Sequence, residues 1–334
     1  MASVLVTGGA GYIGSVCCAQ LVQNGHEVLV VDDLSTGYKE AVPAAVPFYQ
    51  ADIRDQRKIR RILADHPVDV MFHFAAKALI PESMSNPGLF FDENVASGIR
   101  LLEELRRAKV RRVVFSSSAA VYGSPERIPV LEDDRKAPVN SYGETKLMFE
   151  QILAWYVRAY GWGVAALRYF NACGAWGSLG ERHEPETHII PLLLQSAAGE
   201  NEVFRICGTD YPTPDGTCLR DYVHVLDIAD AHIRTMSLLD SPGMYTFNIG
   251  SGSSYSVRQV MQTVESVTGK RIRSCATARR QGDPPVLCAS AEKLTRTVGW
   301  NPIHSDLTNI VQTAWAYQQG VRGELSNPIL TLRR

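Results

Sequence analysis

SVLVTGGAGYIGS, residues 3–15, decides how the rest of the chain is read. A short β-branched run ends in glycine, Gly8, Gly11 and Gly14 recur every third residue, and Gly9, Gly11 and Gly14 also satisfy GxGxxG. Glycines in such a turn let the backbone bend tightly, approach a pyrophosphate and pack the following helix on the sheet, while the helix amino terminus supplies amides for the negative charge. The context strengthens a motif that is weak alone: a strand precedes it, a helix follows, and Asp32 stands 18 residues after Gly14 at the end of a second apolar run, EVLVVDD. A carboxylate at that place accepts hydrogen bonds from the adenosine ribose and repels a 2'-phosphate. With Asp33 beside it and no adjacent arginine, the pair favours NAD over NADP.

Working outward, the runs PFYQAD, VDVMFHFA, RRVVFSSS and GVAALRYFN continue the series, separated by segments such as the one carrying Val95, Ile99, Leu102 and Leu105 at helical spacing. Near-continuous apolar strands alternating with helices mean a parallel sheet covered on both faces, so the first half reads as a doubly wound α/β sheet of the Rossmann type. Asp52 and Ile53 end one strand, and Phe74, Ala75 and Ala76 in HFAA offer small residues where the backbone can graze a cofactor. His73, by contrast, reads as a core histidine. After Asn171 the texture becomes loop-rich (ACGAWGSLGERHEPET, DYPTPDGTC), which suggests a smaller mixed α/β lobe over the carboxyl ends of the strands, where open α/β sheets bind ligands.

Composition excludes several classes. The 334 residues carry 34 Lys plus Arg against 35 Asp plus Glu, net -1, so no sequence-wide basic field exists to hold nucleic acid. No apolar run approaches the roughly 20 residues that span a bilayer, and nothing at the amino terminus has the make-up of a secretory signal. Seven cysteines without a CxxC pair read as reduced thiols of a cytoplasmic protein, and no metal is expected.

The chemistry is expected around VNSYGETKLMFEQ, residues 139–151. Tyr142 and Lys146, four apart on a helix, share a face, and the strand RRVVFSSS ends in Ser116, Ser117 and Ser118. A free tyrosine titrates near about 10, and lowering it by about three units requires roughly 4 kcal/mol of preference for the phenolate. A cation about 4 Å away contributes on that order at an effective dielectric of about 20. Lys146 and the positive ring of oxidised nicotinamide are two such cations. Tyr142 can then take a hydroxyl proton while hydride leaves the same carbon, with Ser118 relaying or positioning the proton.

TGGAGYIG, DDLSTG, SSSAAVYG, YGETK, RYFNACG and RRQGD together resemble the extended short-chain dehydrogenase/reductases, and within them the nucleotide-sugar 4-epimerases, from the first strand to about residue 320. The resemblance implies a tightly held NAD and interconversion of UDP-glucose and UDP-galactose through a transient 4-keto sugar that turns about its diphosphate linkage. It implies a NAD-binding domain over 1–170 with a returning stretch at about 219–250, a substrate domain over 171–218 and 251–334, and a homodimer. By match to the family's motifs, Gly8, Gly11, Tyr12, Ile13, Asp32, Asp52, Ile53, Asn94 and Lys146 are implied NAD contacts, and Gly14, Asp33, Phe74, Ala75, Ala76, Ser116, Tyr142 and Tyr169 are placed with them. Asn171, Arg220, Arg280 and Asp283 are implied to hold the uridine diphosphate, His188 is counted with the substrate-binding residues, and Ser118 and Tyr142 stand at the sugar 4-hydroxyl.

Three positions depart from the pattern. Lys77 is one residue from where many epimerases carry a lysine, His188 replaces an asparagine of some members, and Leu287 is intermediate between residues that confine the sugar pocket and residues that admit an N-acetyl group. A UDP-N-acetylglucosamine or UDP-glucuronate 4-epimerase therefore stays an alternative, as does an NAD-sensing binding protein, although such proteins typically lose the Tyr and Lys. Ala119 and Ala120 stand where 4,6-dehydratases carry an acid pair, so that elimination is not expected.

Overall fold

The structure is a computed structural model that describes residues 1–200, 203–280 and 282–322. Strands β1 (Ser3–Thr7), β2 (Glu27–Asp32), β3 (Phe48–Gln50), β4 (Val70–His73), β5 (Arg112–Ser118) and β6 (Gly163–Tyr169) form one parallel sheet in the order 3-2-1-4-5-6, extended beyond β6 by Gly243–Ile249. All six pairings are parallel. The order reverses between β1 and β4, which opens a crevice at their carboxyl ends.

Alternate residues of the strands feed two cores, which is why the runs are apolar throughout. One face buries Val4, Val6, Val30, Phe72 and Val114 under the helices Tyr12–Gln23 and Val225–Thr235. The other buries Leu5, Leu29, Met71, Val113 and Phe115 under Gln56–Asp65, Ser97–Arg107 and Ser141–Tyr160. On Ser97–Arg107 the buried face runs through Leu101, Leu102 and Leu105, whereas Ile99, expected on it, is 38% exposed. A wide π-helical turn at Asp92–Ala96 precedes the helix, and the place beside Val95 is taken by Gly98, where a Cβ would lie 2.3 Å from the Phe149 ring.

The second lobe has its own core, built on Ile190, Leu193, Phe204, Val260 and Ile310. Its sheet joins Leu219–His224 in parallel to Asn171–Cys173 and Val286–Leu287 and antiparallel to Ser254–Ser256, while Phe204–Cys207 pairs with Ser274–Thr277. Of the returning stretch expected over 219–250, Val225–Thr235 and Gly243–Ile249 join the large lobe, and Leu219–His224 lies in the smaller sheet. Two junctions between the lobes are minimal: Phe170 alone separates β6 from Asn171–Cys173, and His224 leads directly into Val225–Thr235. Residues 323–334, the close of the expected substrate domain, lie outside the described residues.

Candidate active site

One cavity of about 1160 Å³ lies between the lobes. It exceeds the roughly 300–1,000 Å³ usual for a drug-sized ligand, so a dinucleotide and a second ligand can share it. Its floor is the glycine turn. Gly8 has φ +75, and a Cβ there would stand 2.5 Å from the Ala75 amide nitrogen; a Cβ on Gly14 would meet the Gly8 carbonyl at 2.2 Å. Gly11 has only the Gly8 oxygen within 4 Å of its Cβ direction and opens to the cavity. These are the dimensions of a turn built for close approach of a phosphate to backbone amides.

At the end of β2 the buried Asp32 carboxylate accepts from the Ala10 amide (3.0 Å) and the Leu34 amide (2.8 Å), which aims it along the cavity wall. Burial raises its pKa, and those two amides oppose the rise. Asp33 is exposed and bonded to the Ser35 amide. Asp52 is committed to Arg54, at 2.6 and 2.8 Å, and Ile53 lines the wall beside it. Tyr12, Ile13, Phe74, Ala75 and Ala76 line the same end. Asn94 does not face the cavity: its amide grips the backbone of Lys77 at both N (2.8 Å) and O (3.0 Å) and donates to Thr145 Oγ1, so it shapes the wall from behind. His73 is enclosed, bonded to Thr7 Oγ1 at 2.7 Å, and held down to about 3 by burial and then by the Lys146 charge.

Asn140 caps the helix Ser141–Tyr160, accepting from the Gly143 amide, and a Cβ on Gly143 would stand 2.5 Å from the Ala120 carbonyl. That close seating on the end of β5 brings Ser116, Ser118, Tyr142 and Lys146 to one wall. Lys146, 3% exposed, donates to the Ser116 carbonyl at 2.8 Å, with its Nζ 5.7 Å from the centre of the Tyr142 ring. Burial pulls Lys146 down to about 7, against the raising influence of Glu150. Burial raises the Tyr142 pKa and the Ser118 hydroxyl opposes the rise, so of the two cations expected to act on the phenol, Lys146 alone does not bring it down.

The lysine carries a pH signature. The folded chain releases the Lys146 proton near 7 and the unfolded chain near 10.5, so between these values the unfolded state binds more protons. The contribution of Lys146 to stability is therefore lowest below pH 7 and rises with pH through that window. Urea denaturation of dinucleotide-free protein from pH 6 to 10 is expected to show this rise, and Lys146→Met to flatten it.

Behind this wall lies a network that residue patterns did not disclose. Ser117 Oγ donates to Glu150 (2.5 Å), Glu150 pairs with Arg168 (2.6 Å), and Arg168 donates to the Tyr122 hydroxyl (2.7 Å), which donates to Asn248 Oδ1 (2.6 Å). It ties the Tyr142 helix to β5, β6 and Gly243–Ile249. Tyr169 lines the cavity, its hydroxyl 2.5 Å from His232 Nε2.

On the opposite wall Arg220 is held by the carbonyls of Leu219 (2.9 Å) and Pro284 (2.8 Å) and lies 3.5 Å from Asp283. Asn171 donates to the Asp221 carbonyl, and Arg280 and Leu287 also face the cavity, Leu287 in register with Arg220. His188 lines the cavity, but its Nδ1 is drawn to Glu181 (2.9 Å) and Glu186 (3.0 Å). Burial works against a charged His188, yet Glu181 and the two hydrogen bonds outweigh it and raise His188 to about 10.

A parallel sheet that reverses order above a glycine turn, facing a Tyr–Lys helix across one chamber, is the architecture of the extended short-chain dehydrogenase/reductases. The chain belongs to the NAD dependent epimerase/dehydratase family, whose model matches residues 4–250. It is 45% identical over 320 residues to a UDP-glucose 4-epimerase of Lacticaseibacillus casei, covering 95% of this chain and 97% of that one. Among solved structures, the UDP-glucose 4-epimerase of Stenotrophomonas maltophila with bound NAD and formylated UDP-arabinopyranose superposes with a TM-score of 0.93 at 39% identity, covering 96% and 99% of the two chains. That of Brucella ovis in complex with NAD gives 0.92 at 41% identity over 95% and 98%.

Proposed function

We propose that the protein is an isomerase that interconverts UDP-glucose and UDP-galactose by inverting C4 through a 4-keto sugar. The observation that carries the reading is the single chamber in which Ser118, Tyr142 and Lys146 face the glycine turn on one side and Arg220, Arg280 and Asp283 on the other. Gly8, Gly11 and Gly14 would hold the dinucleotide's pyrophosphate, Asp32 its adenosine ribose, and Lys146 its nicotinamide end; NAD, when bound, takes the C4 hydride and returns it to the opposite face of the sugar.

Tyr142 takes the proton of the sugar 4-hydroxyl. Ser118 bonds to the phenol and positions that hydroxyl, and Lys146, anchored on the Ser116 carbonyl, adds positive charge beside the developing phenolate. When the ketone is reduced, the same phenol returns the proton. Arg220 and Arg280 suit the diphosphate oxygens and Asp283 the uridine ribose hydroxyls, so the nucleotide stays tethered while the hexose turns.

We also read residues 1–170 as the dinucleotide domain and the smaller lobe as the substrate domain. Seven free thiols among the described residues fit a reducing cytoplasm, and no helix among them is long and apolar enough to cross a membrane. A homodimer is the state proposed, its seam on the outer face that exposes Ile99 and Trp155.

The decisive experiment is to incubate purified protein with UDP-galactose and no added NAD and look for UDP-glucose; steady turnover is expected, whereas net NADH release would replace this reading with a dehydrogenase. Asp32→Ala is expected to reduce the dinucleotide that copurifies by at least tenfold, a loss of about 1.4 kcal/mol or more. Cofactor released on acid precipitation measures it, and undiminished content would remove Asp32 from the ribose site.

A further inference from the structure

Residues 181–188, ERHEPETH, follow the hairpin Ala175–Trp176 and Leu179–Gly180 and lead into the helix Ile189–Ala197. Their four chemistry-bearing side chains converge: one ligand atom from each of Glu181, His183, Glu186 and His188 lies within 4.8 Å of all the others. Neither the proposed proton transfer nor dinucleotide binding uses this convergence. Both carboxylates are almost enclosed, with side chains 8% and 6% exposed for Glu181 and Glu186.

We propose that this loop is a metal site, in which Glu181, His183, Glu186 and His188 enclose one divalent first-row transition ion, zinc by the character of the donors. Two imidazole nitrogens and two carboxylate oxygens are a donor set that zinc accepts, and the two carboxylates balance its charge. Tetrahedral zinc, with bonds of about 2.0–2.2 Å, sets neighbouring ligand atoms roughly 3.3–3.5 Å apart. Three donor separations bracket that value: 2.9 Å from His188 Nδ1 to Glu181 Oε1, and 3.3 and 3.9 Å from His183 Nδ1 to Glu181 Oε1 and Glu186 Oε2.

A second observation points to a ligand. His183 Nδ1 is a buried atom without a hydrogen-bond partner, although a carboxylate oxygen stands 3.3 Å away. An unbonded buried nitrogen aimed among two carboxylates is costly unless something fills the gap. The Glu186 carboxylate is already oriented by the amides of Thr187 (2.7 Å) and His188 (2.8 Å) on Oε1, leaving Oε2 turned to His183. Such outer bonds are the support that metal ligands usually have.

Four protein ligands close the coordination sphere, so the ion acts as a brace and takes no part in the chemistry. What it braces is the cavity wall. Arg182 stacks on the Tyr38 ring at 3.9 Å, Gly180 sits against the Tyr317 ring, and His183, Thr187 and His188 line the chamber between.

The test uses full-length protein stripped with a chelator and titrated with zinc, then with cobalt as the reporter ion. One equivalent per chain is expected, with the intense visible absorption of tetrahedral cobalt and no thiolate band in the near ultraviolet. His183→Ala and Glu186→Gln, checked for folding by circular dichroism, are each expected to weaken zinc binding more than about 100-fold. X-ray absorption of zinc-loaded wild type is expected to show two imidazoles, which decides the matter even if a variant unfolds. Absence of bound zinc at micromolar concentration, a thiolate band, scattering without imidazole, or unchanged affinity in folded His183→Ala would each overturn the assignment.

Discussion

Tyr142→Phe is expected to lower kcat by about 10³-fold while leaving UDP binding within a few-fold of wild type. The substitution removes one oxygen and almost no volume from a wall whose packing is otherwise unchanged. General acid–base groups contribute roughly 10²- to 10⁴-fold. In the proposed mechanism the same phenol serves in both directions, so no second group covers its loss. Conversion of UDP-galactose measures kcat, and calorimetric titration with UDP measures binding. Turnover equal to wild type would remove Tyr142 from the chemistry. The structure adds a condition: because burial raises this phenol, the dinucleotide-free protein is expected to hold Tyr142 protonated at neutral pH.

Glu150→Gln has the largest expected effect on stability, a loss of about 3–5 kcal/mol, because it leaves the Arg168 guanidinium buried without its counter-charge. Both side chains are nearly enclosed, at 6% and 4% exposure. The variant also strips Lys146 of the carboxylate one helical turn away, so the lysine is expected to give up its proton more readily still. A fall in thermal midpoint of roughly 4–7 °C is the readout. A midpoint within 2 °C of wild type, roughly the scale of 1 kcal/mol, would mean that the network carries no such weight.

What could be read from residue order, and what could not, divides by the reach of the interaction. The glycine turn, Asp32 and the Tyr142–Lys146 spacing are local: each follows from a few neighbouring residues and a known periodicity. The serines at the end of β5 were placed correctly on the strand by its apolar run. The motif position of Asn94 points to the cofactor, yet its side chain is bonded to the backbone of Lys77, a contact that only the folded path of the chain decides. The Glu150–Arg168–Tyr122–Asn248 chain joins residues up to 126 positions apart and leaves no periodic trace. Ile99 sits at the edge of the helix face that runs through Gly98, Leu101, Leu102 and Leu105, and apolar residues at three and four spacing do not by themselves tell the edge of a face from its centre. The cluster at 181–188 was visible as residues, but Glu-x-His-x-x-Glu-x-His on a loop obeys no helical or strand period, and only three-dimensional proximity makes it a unit.

The minimal junctions at Phe170 and at His224–Val225 bear on how a sugar could be turned over inside this protein. A jaw that swings wide needs slack in its tether, and at these two crossings there is none. On the proposed mechanism the hexose would then present its second face within the chamber much as it stands, and Leu287, which lines that chamber, would limit the girth of sugar that can turn there.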